Sequence, residues 1–399
     1  MNAPAFKSPL AIPNTGFKEL DVSQGIEEEL LPTYKAEKYF PAEIGQVLKD
    51  RYQIIGKLGY GGSSTVWLSR DLEKCQHVAL KLCVNDSQKA NHELGIYKHL
   101  DSIFPLVKHS GKNLYRKLYD SFEIQGPNGT HVCLVHEPLG LSLYQVLDIL
   151  PTRTLTLEML KPPLRNIIVA LDFLHRAKVV HTDLQARNML LDIDDRTVFS
   201  TFEDAEIEEP APRKLLGDCT IYMSRRIPLT PRFPSITDFG EARIMSSGKL
   251  PWEDVMPDVY RAPEIILRMP WDEKVDMWSI GLVCWDLVTG RTLFRGRNSE
   301  KLLDDAIHLA EMIAIMGRPP KEFLKRSKMC QIWWDENGTW RGAAPIPTHS
   351  LEDLAEKIGG EDRNGFLSFF RRTLRWLPEE RPTTEELISD PWLMEGLGT

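Results

Sequence analysis

Two polar side chains five positions apart, Asp183 and Asn188, stand in the run Val179-Val180-His181-Thr182-Asp183-Leu184-Gln185-Ala186-Arg187-Asn188-Met189-Leu190-Leu191. The apolar ends read as strands and the polar centre as a loop. A carboxylate there would orient an attacking hydroxyl and accept its proton, and the amide would hold a metal ion, the division of labour of phosphoryl transfer. An ordinary polar turn has the same outline. The elements that would position the remaining parts of such a site therefore decide between the two.

Upstream, Arg51 to Leu58 alternates like a strand, Gly59-Tyr60-Gly61-Gly62-Ser63-Ser64 breaks it, and Thr65-Val66-Trp67-Leu68 resumes it. A glycine hairpin lets backbone amides approach phosphate oxygens, so Leu58, Gly59, Gly61 and Gly62 are candidate nucleotide contacts. The pattern G-x-G-x-x-G-x-V is met except at its third glycine, which is Ser64. Val78-Ala79-Leu80-Lys81 follows and fits V-A-I-K, whose lysine pairs with the α- and β-phosphates. A helix is expected from Ser87 to Leu100, and Glu93, the one acid well inside it, is the candidate partner of Lys81. The strand His131 to His136 ends at Glu137-Pro138-Leu139-Gly140, where the carbonyl of Glu137 and the amide of Leu139 are placed to hold adenine, Pro138 having no N–H.

Downstream, Leu157 to Ala177 forms an amphipathic helix leading into the Asp183 loop. Residues 192–234 carry acidic runs and prolines and read as an insertion between two core strands, either an interaction element or a long loop. Then come Asp238-Phe239-Gly240, whose acid would bind Mg²⁺, and Tyr260-Arg261-Ala262-Pro263-Glu264. Lys274 to Val288 suits a buried central helix, and the tail from Phe366 to Trp392 is expected to be helical again.

From about Tyr52 to Trp392 the chain resembles a eukaryotic protein kinase. The resemblance implies an α+β, bilobal fold: an extension over 1–38, a small β-rich lobe over 39–136, and a larger helical lobe over 137–399 that includes the insertion. ATP and Mg²⁺ are the implied cofactors. Val66, Ala79 and Leu190 would sandwich the adenine, and Glu264 would pair with Arg381. Within that superfamily, the segment Leu58 to Leu68, His181-Thr182-Asp183 and the insertion look most like the kinases of serine/arginine-rich splicing proteins, in a compact fungal-type form. The implied substrates are basic, Arg/Ser-containing proteins.

The departures are specific. Gln185 replaces the lysine two places after the catalytic acid, and Phe239 stands where those kinases usually carry leucine. Arg187 is the candidate substitute cation, since some tyrosine kinases use an arginine there. Thr182 replaces the arginine that pairs with a phosphorylated activation segment, so no phosphate is expected to be needed between Gly240 and Pro263. Three readings stay open: an active Ser/Thr protein kinase, a nucleotide-binding pseudokinase serving as scaffold or regulator, and a small-molecule kinase.

Across the 399 residues, 42% are hydrophobic and 27% charged, with a formal net charge of -8. That charge disfavours direct binding to nucleic acid or an anionic membrane and suits a basic partner. No apolar run of spanning length and no charged-then-apolar leader is seen, and the six cysteines form no C-x-x-C pair, so cytoplasm or nucleus is expected.

Overall fold

The computed structural model describes residues 8–217, 219–230, 232–245, 248, 250–360 and 362–396. Residues 1–7 of the expected extension, 218 and 231 of the insertion, 246, 247 and 249 between Gly240 and Pro263, and 361 and 397–399 of the larger lobe lie outside them. The chain divides into two compact units. The first holds everything up to Lys98 together with Arg116–Leu141 and Leu191–Arg232; the second holds His99–Tyr115, Ser142–Leu190 and the chain from Phe233 onward. The insertion, expected with the helical lobe, thus groups as far as Arg232 with the β-rich unit.

In chain order, strands β1 (Val47–Leu48), β2 (Tyr52–Gly61), β3 (Ser64–Asp71) and β4 (Gln76–Cys83) precede helix α1 (Ser87–Ile103), and β5 (Leu118–Gly126) and β6 (Gly129–His136) follow it. Helices α2 (Leu143–Ile149) and α3 (Leu157–Arg176) come next, then β7 (Val179–Val180), β8 (Met189–Leu191), α4 (Thr197–Glu208), β9 (Arg213–Leu215), β10 (Thr220–Tyr222), β11 (Pro234–Ile236) and β12 (Arg243–Ile244). Helices α5 (Pro263–Ile266) and α6 (Lys274–Thr289) lie in the second unit.

In the first unit, six antiparallel strands run in the order β1-β2-β3-β4-β6-β5. A strand with one wet face would bury alternate residues, yet β2 is buried without a break from Tyr52 to Lys57. Both of its faces are covered. Ile54 joins Tyr52, Trp67, Val78, Leu80 and Tyr222 in one core, while Ile55 and Leu68 pack on the opposite face against Phe199, Phe202 and Ile227. Tyr222, Phe199, Phe202 and Ile227 all come from the insertion, which is the physical reason it belongs with this unit. Gly56 permits the contact: a Cβ there would lie 2.8 Å from the Phe202 ring.

In the second unit, α6 is buried on nearly every side, with Trp278 and Trp285 at its centre. Gly281 takes helix Arg363–Thr373 so close that a Cβ would lie 2.2 Å from the Thr373 hydroxyl. Gly290, at φ +67°, ends α6 in the left-handed conformation glycine tolerates best. Two small sheets, β7 with β12 and β8 with β11, frame the Asp183 loop. The tail is less continuous than its periodicity implied. It breaks into Arg363–Thr373, Thr384–Ile388 and Pro391–Met394, and Arg381 lies just ahead of the Thr383 cap.

Candidate active site

In the second unit the Asp183 loop hangs from one acid of α6. Asp276 is fully buried and accepts the backbone N–H groups of His181 and Thr182, each at 2.9 Å, and a third bond from His175 Nε2 at 2.9 Å. These charge-assisted bonds hold Thr182 at φ +63°, an unfavourable conformation for a β-branched residue. His181 accepts the Asp183 N–H at Nδ1 (3.2 Å), which leaves Nε2 to donate to the Thr237 carbonyl (3.0 Å). The ring therefore ties the loop to the residue before Asp238.

The Asp183 carboxylate is held from both sides. Asn188 Nδ2 donates to Oδ2 and to the Asp183 carbonyl, both at 2.8 Å, and Gln185 Nε2 donates to Oδ1 at 2.8 Å. With its Nδ2 protons so engaged, Asn188 keeps Oδ1 as an acceptor. Burial pushes the Asp183 carboxyl above its ordinary value; the neighbouring Asp238 carboxylate adds to this, and the bonds from Gln185 and Asn188 oppose it. Asp238 itself sits at φ +64°. Phe239 beside it is buried, edge-on to Tyr115 at 5.9 Å between ring centroids and 5.4 Å from the His181 ring.

Arg187, the candidate substitute cation, lies against Tyr144. Its side chain is exposed, with the guanidinium carbon 3.9 Å from the centroid of the Tyr144 ring of α2. A planar cation gains a π face there without giving up water, and the place beside the carboxylate is taken by Gln185.

In the first unit, Lys81 on β4 and Glu93 on α1 form an ion pair at 2.7 Å, both largely buried. Leu58 and Val66 are half-buried and Ala79 is buried; in the antiparallel register Val66 faces Gly59 on one side and Lys81 on the other. A Cβ at Gly59 or Gly61 would meet nothing within 4 Å, so the hairpin presents bare backbone, and Gly62 is exposed. The Glu137 carbonyl accepts a bond from Arg116 Nε at 3.0 Å, Leu139 is buried, and Leu190 of the second unit is half-buried on β8.

Residues 52–393 match the family model of the protein kinase domain. The chain belongs to the protein kinase family. Similar proteins include a serine/threonine protein kinase of Aspergillus fumigatus, 40% identical over 394 residues that cover 97% of this chain and 96% of that one. The serine/threonine-protein kinase SRPK of Physarum polycephalum is 30% identical over 401 residues, 92% of each chain. Protein kinase dsk1 of Schizosaccharomyces pombe is 25% identical over 463, covering 92% of this chain and 85% of its own.

In this kinase the described residues after Asp238 are held by neutral bonds and by several ion pairs, among them Arg261 with Asp305 at 2.7 Å and Arg297 with Asp258 at 3.5 Å. The Thr182 hydroxyl donates to the Glu241 carbonyl at 2.7 Å, β12 pairs with β7, and Arg243 meets Glu253 at 3.0 Å. The Tyr260 hydroxyl bonds Asp286, whose carboxyl burial pushes up to about 7. Glu264 and Arg381 form a doubly hydrogen-bonded buried pair at 2.6 and 2.7 Å, with the guanidinium 5.0 Å from the Trp278 ring. Asp276 was not singled out from sequence as the support of the loop. The signal was available: an acid inside an otherwise apolar helix needs donors wherever it is buried.

Proposed function

We propose that the protein transfers the γ-phosphate of ATP to Ser and Thr hydroxyls of basic, Arg/Ser-containing proteins. The observation that carries this reading is the carboxylate of Asp183, fixed by an amide on each oxygen and set on a loop anchored by Asp276. So placed, Asp183 orients a substrate hydroxyl and receives its proton, a job helped by the upward shift from burial. Lys81, held by Glu93, offers a fixed point charge to the α- and β-phosphates, and the bare backbone of Gly59, Gly61 and Gly62 offers N–H groups.

The donor set fits Mg²⁺. Asn188 Oδ1 and the Asp238 carboxylate are hard oxygen ligands, and the mutual repulsion of Asp183 and Asp238 is relieved by a cation. Asn188 and Asp238 would hold Mg²⁺, which would supply positive charge to offset that of the phosphates. Gln185, one of three departures with Ser64 and Thr182 that favour the pseudokinase reading, donates to the Asp183 carboxylate, and this contact supports an active enzyme.

A net charge of -8 and the likeness to a kinase named SRPK support basic substrates. The reading extends to action in the cytoplasm or nucleus and, through that likeness, to proteins of mRNA splicing. Among the described residues no helix is long and apolar enough to cross a membrane. Purified protein with labelled ATP, Mg²⁺ and a panel of Arg-Ser and acidic peptides tests the proposal. Transfer to Arg-Ser peptides that weakens with salt is expected. Asp183→Ala should abolish it while nucleotide still binds, and undiminished transfer by that variant overturns the reading.

A further inference from the structure

The acidic triplet Glu27-Glu28-Glu29 lies in the extension over 1–38. Each of the three carboxylates proves to hold a different element of the first unit. Glu28 pairs with Lys57 of β2, whose side chain is completely buried and whose Nζ also lies 3.6 Å from Glu27 and donates to the Tyr222 carbonyl at 3.0 Å. Glu27 accepts from the N–H and the hydroxyl of Ser224, at 3.1 and 2.6 Å. Both carboxylate oxygens of Glu29 accept from buried Lys214 on β9, at 2.7 and 2.8 Å. The residue at the turn, Glu27, is held at φ +51°, a conformation that needs such contacts to persist.

The extension and Tyr39, the residue that follows it, reach the glycine hairpin directly. The Tyr39 hydroxyl donates to the Gly61 carbonyl at 3.0 Å, and Thr33 Oγ1 stands 3.4 Å from where a Gly62 Cβ would be. Lys57 adjoins the hairpin at the register shift between Lys57 and Gly59, and its own carbonyl accepts the Arg225 N–H of the insertion at 2.8 Å. Gly59, Gly61 and Gly62 bring no side chains of their own, so contacts to their backbone help to set the hairpin's position, and Lys57 Nζ also lies 5.2 Å from the centroid of the Tyr60 ring.

We propose that Glu27, Glu28 and Glu29 form a latch joining extension, insertion and β2, and that through it Tyr39 sets how the glycine hairpin meets a nucleotide. Tyr39, Glu28 and Lys57 are thus positioning residues. The proposal deepens the kinase reading and rests on its assignment of the hairpin to ATP. A buried ammonium tolerates the loss of its carboxylate poorly, so weakening the latch frees the strand that carries Gly59 and Gly61.

The test uses the full chain and Mg-ATP. Tyr39→Phe should raise both the Kd and the KM for ATP about three- to tenfold, the weight of one neutral hydrogen bond. The KM for an Arg-Ser peptide and the kcat at saturating ATP should stay where they are. Glu28→Gln should raise the ATP KM further and lower the melting temperature, and Glu28→Gln with Lys57→Met, which removes both charges, should recover part of each. Unchanged ATP affinity in Tyr39→Phe, in a protein whose wild type binds ATP, overturns the proposal. A wild type that binds no nucleotide overturns the kinase reading instead. Amide exchange at residues 59–64 then judges the brace alone: faster exchange in Tyr39→Phe upholds it, and equal exchange rejects it.

Discussion

The Asp183 loop and the glycine hairpin are both backbone turns that must hold still, and they are held in opposite ways. The loop depends on a few strong bonds from one buried acid and two nearby amides. The hairpin is touched by Tyr39 and Thr33, and Lys57 just before it is held by Glu28 and Arg225, all from segments far away in the chain. Concentrated support makes single substitutions severe, and dispersed support makes them graded.

The largest expected effect is therefore at Asp276. Asp276→Ala strands two buried backbone N–H groups and releases the strain at Thr182, so a loss of about 3–5 kcal/mol is expected, together with loss of phosphoryl transfer. Urea unfolding followed by fluorescence measures it; a loss below 1 kcal/mol would show that the loop does not hang from this acid. Next comes Phe202→Ala, which opens a cavity against Ile55, Leu68 and Gly56. A cost of about 3 kcal/mol is expected, with kcat kept within a few-fold at temperatures where the protein is folded. Full stability in that variant would mean the insertion does not share the core of the first unit.

Gln185→Leu sharpens the loop side of the contrast. It removes a donor that lowers the Asp183 carboxyl, so that group stays protonated to higher pH and the acid limb of the pH–rate profile moves upward. The kcat at the optimum should fall about three- to tenfold. An acid limb that stays in place, or moves down, would remove Gln185 from this role. The smallest effects are expected where support is exposed or neutral. Arg187→Ala should change kcat less than about threefold, the guanidinium being engaged with Tyr144 in water. Thr182→Val should cost about 1 kcal/mol, and phosphatase treatment of the wild type should leave turnover intact; a loss restored by rephosphorylation would contradict the neutral hold on Glu241.

Much of this molecule could be read before its structure. Strand β2, the glycine turn, β4 with Lys81, helices α3 and α6, and the order of Asp183, Asn188 and Asp238 follow from local periodicity and from motifs whose spacing the chemistry restricts. Only tertiary structure decided what those elements rest on. Glu28 finds Lys57 across 29 positions and Glu27 finds Ser224 across 197, while Asp276 reaches Thr182 across 94. It likewise decided that Arg187 turns to Tyr144 while Gln185 turns to Asp183. A charged side chain announces that it needs a partner wherever it is buried, but which partner it gets depends on which distant segment lands beside it, and local pattern carries no record of that.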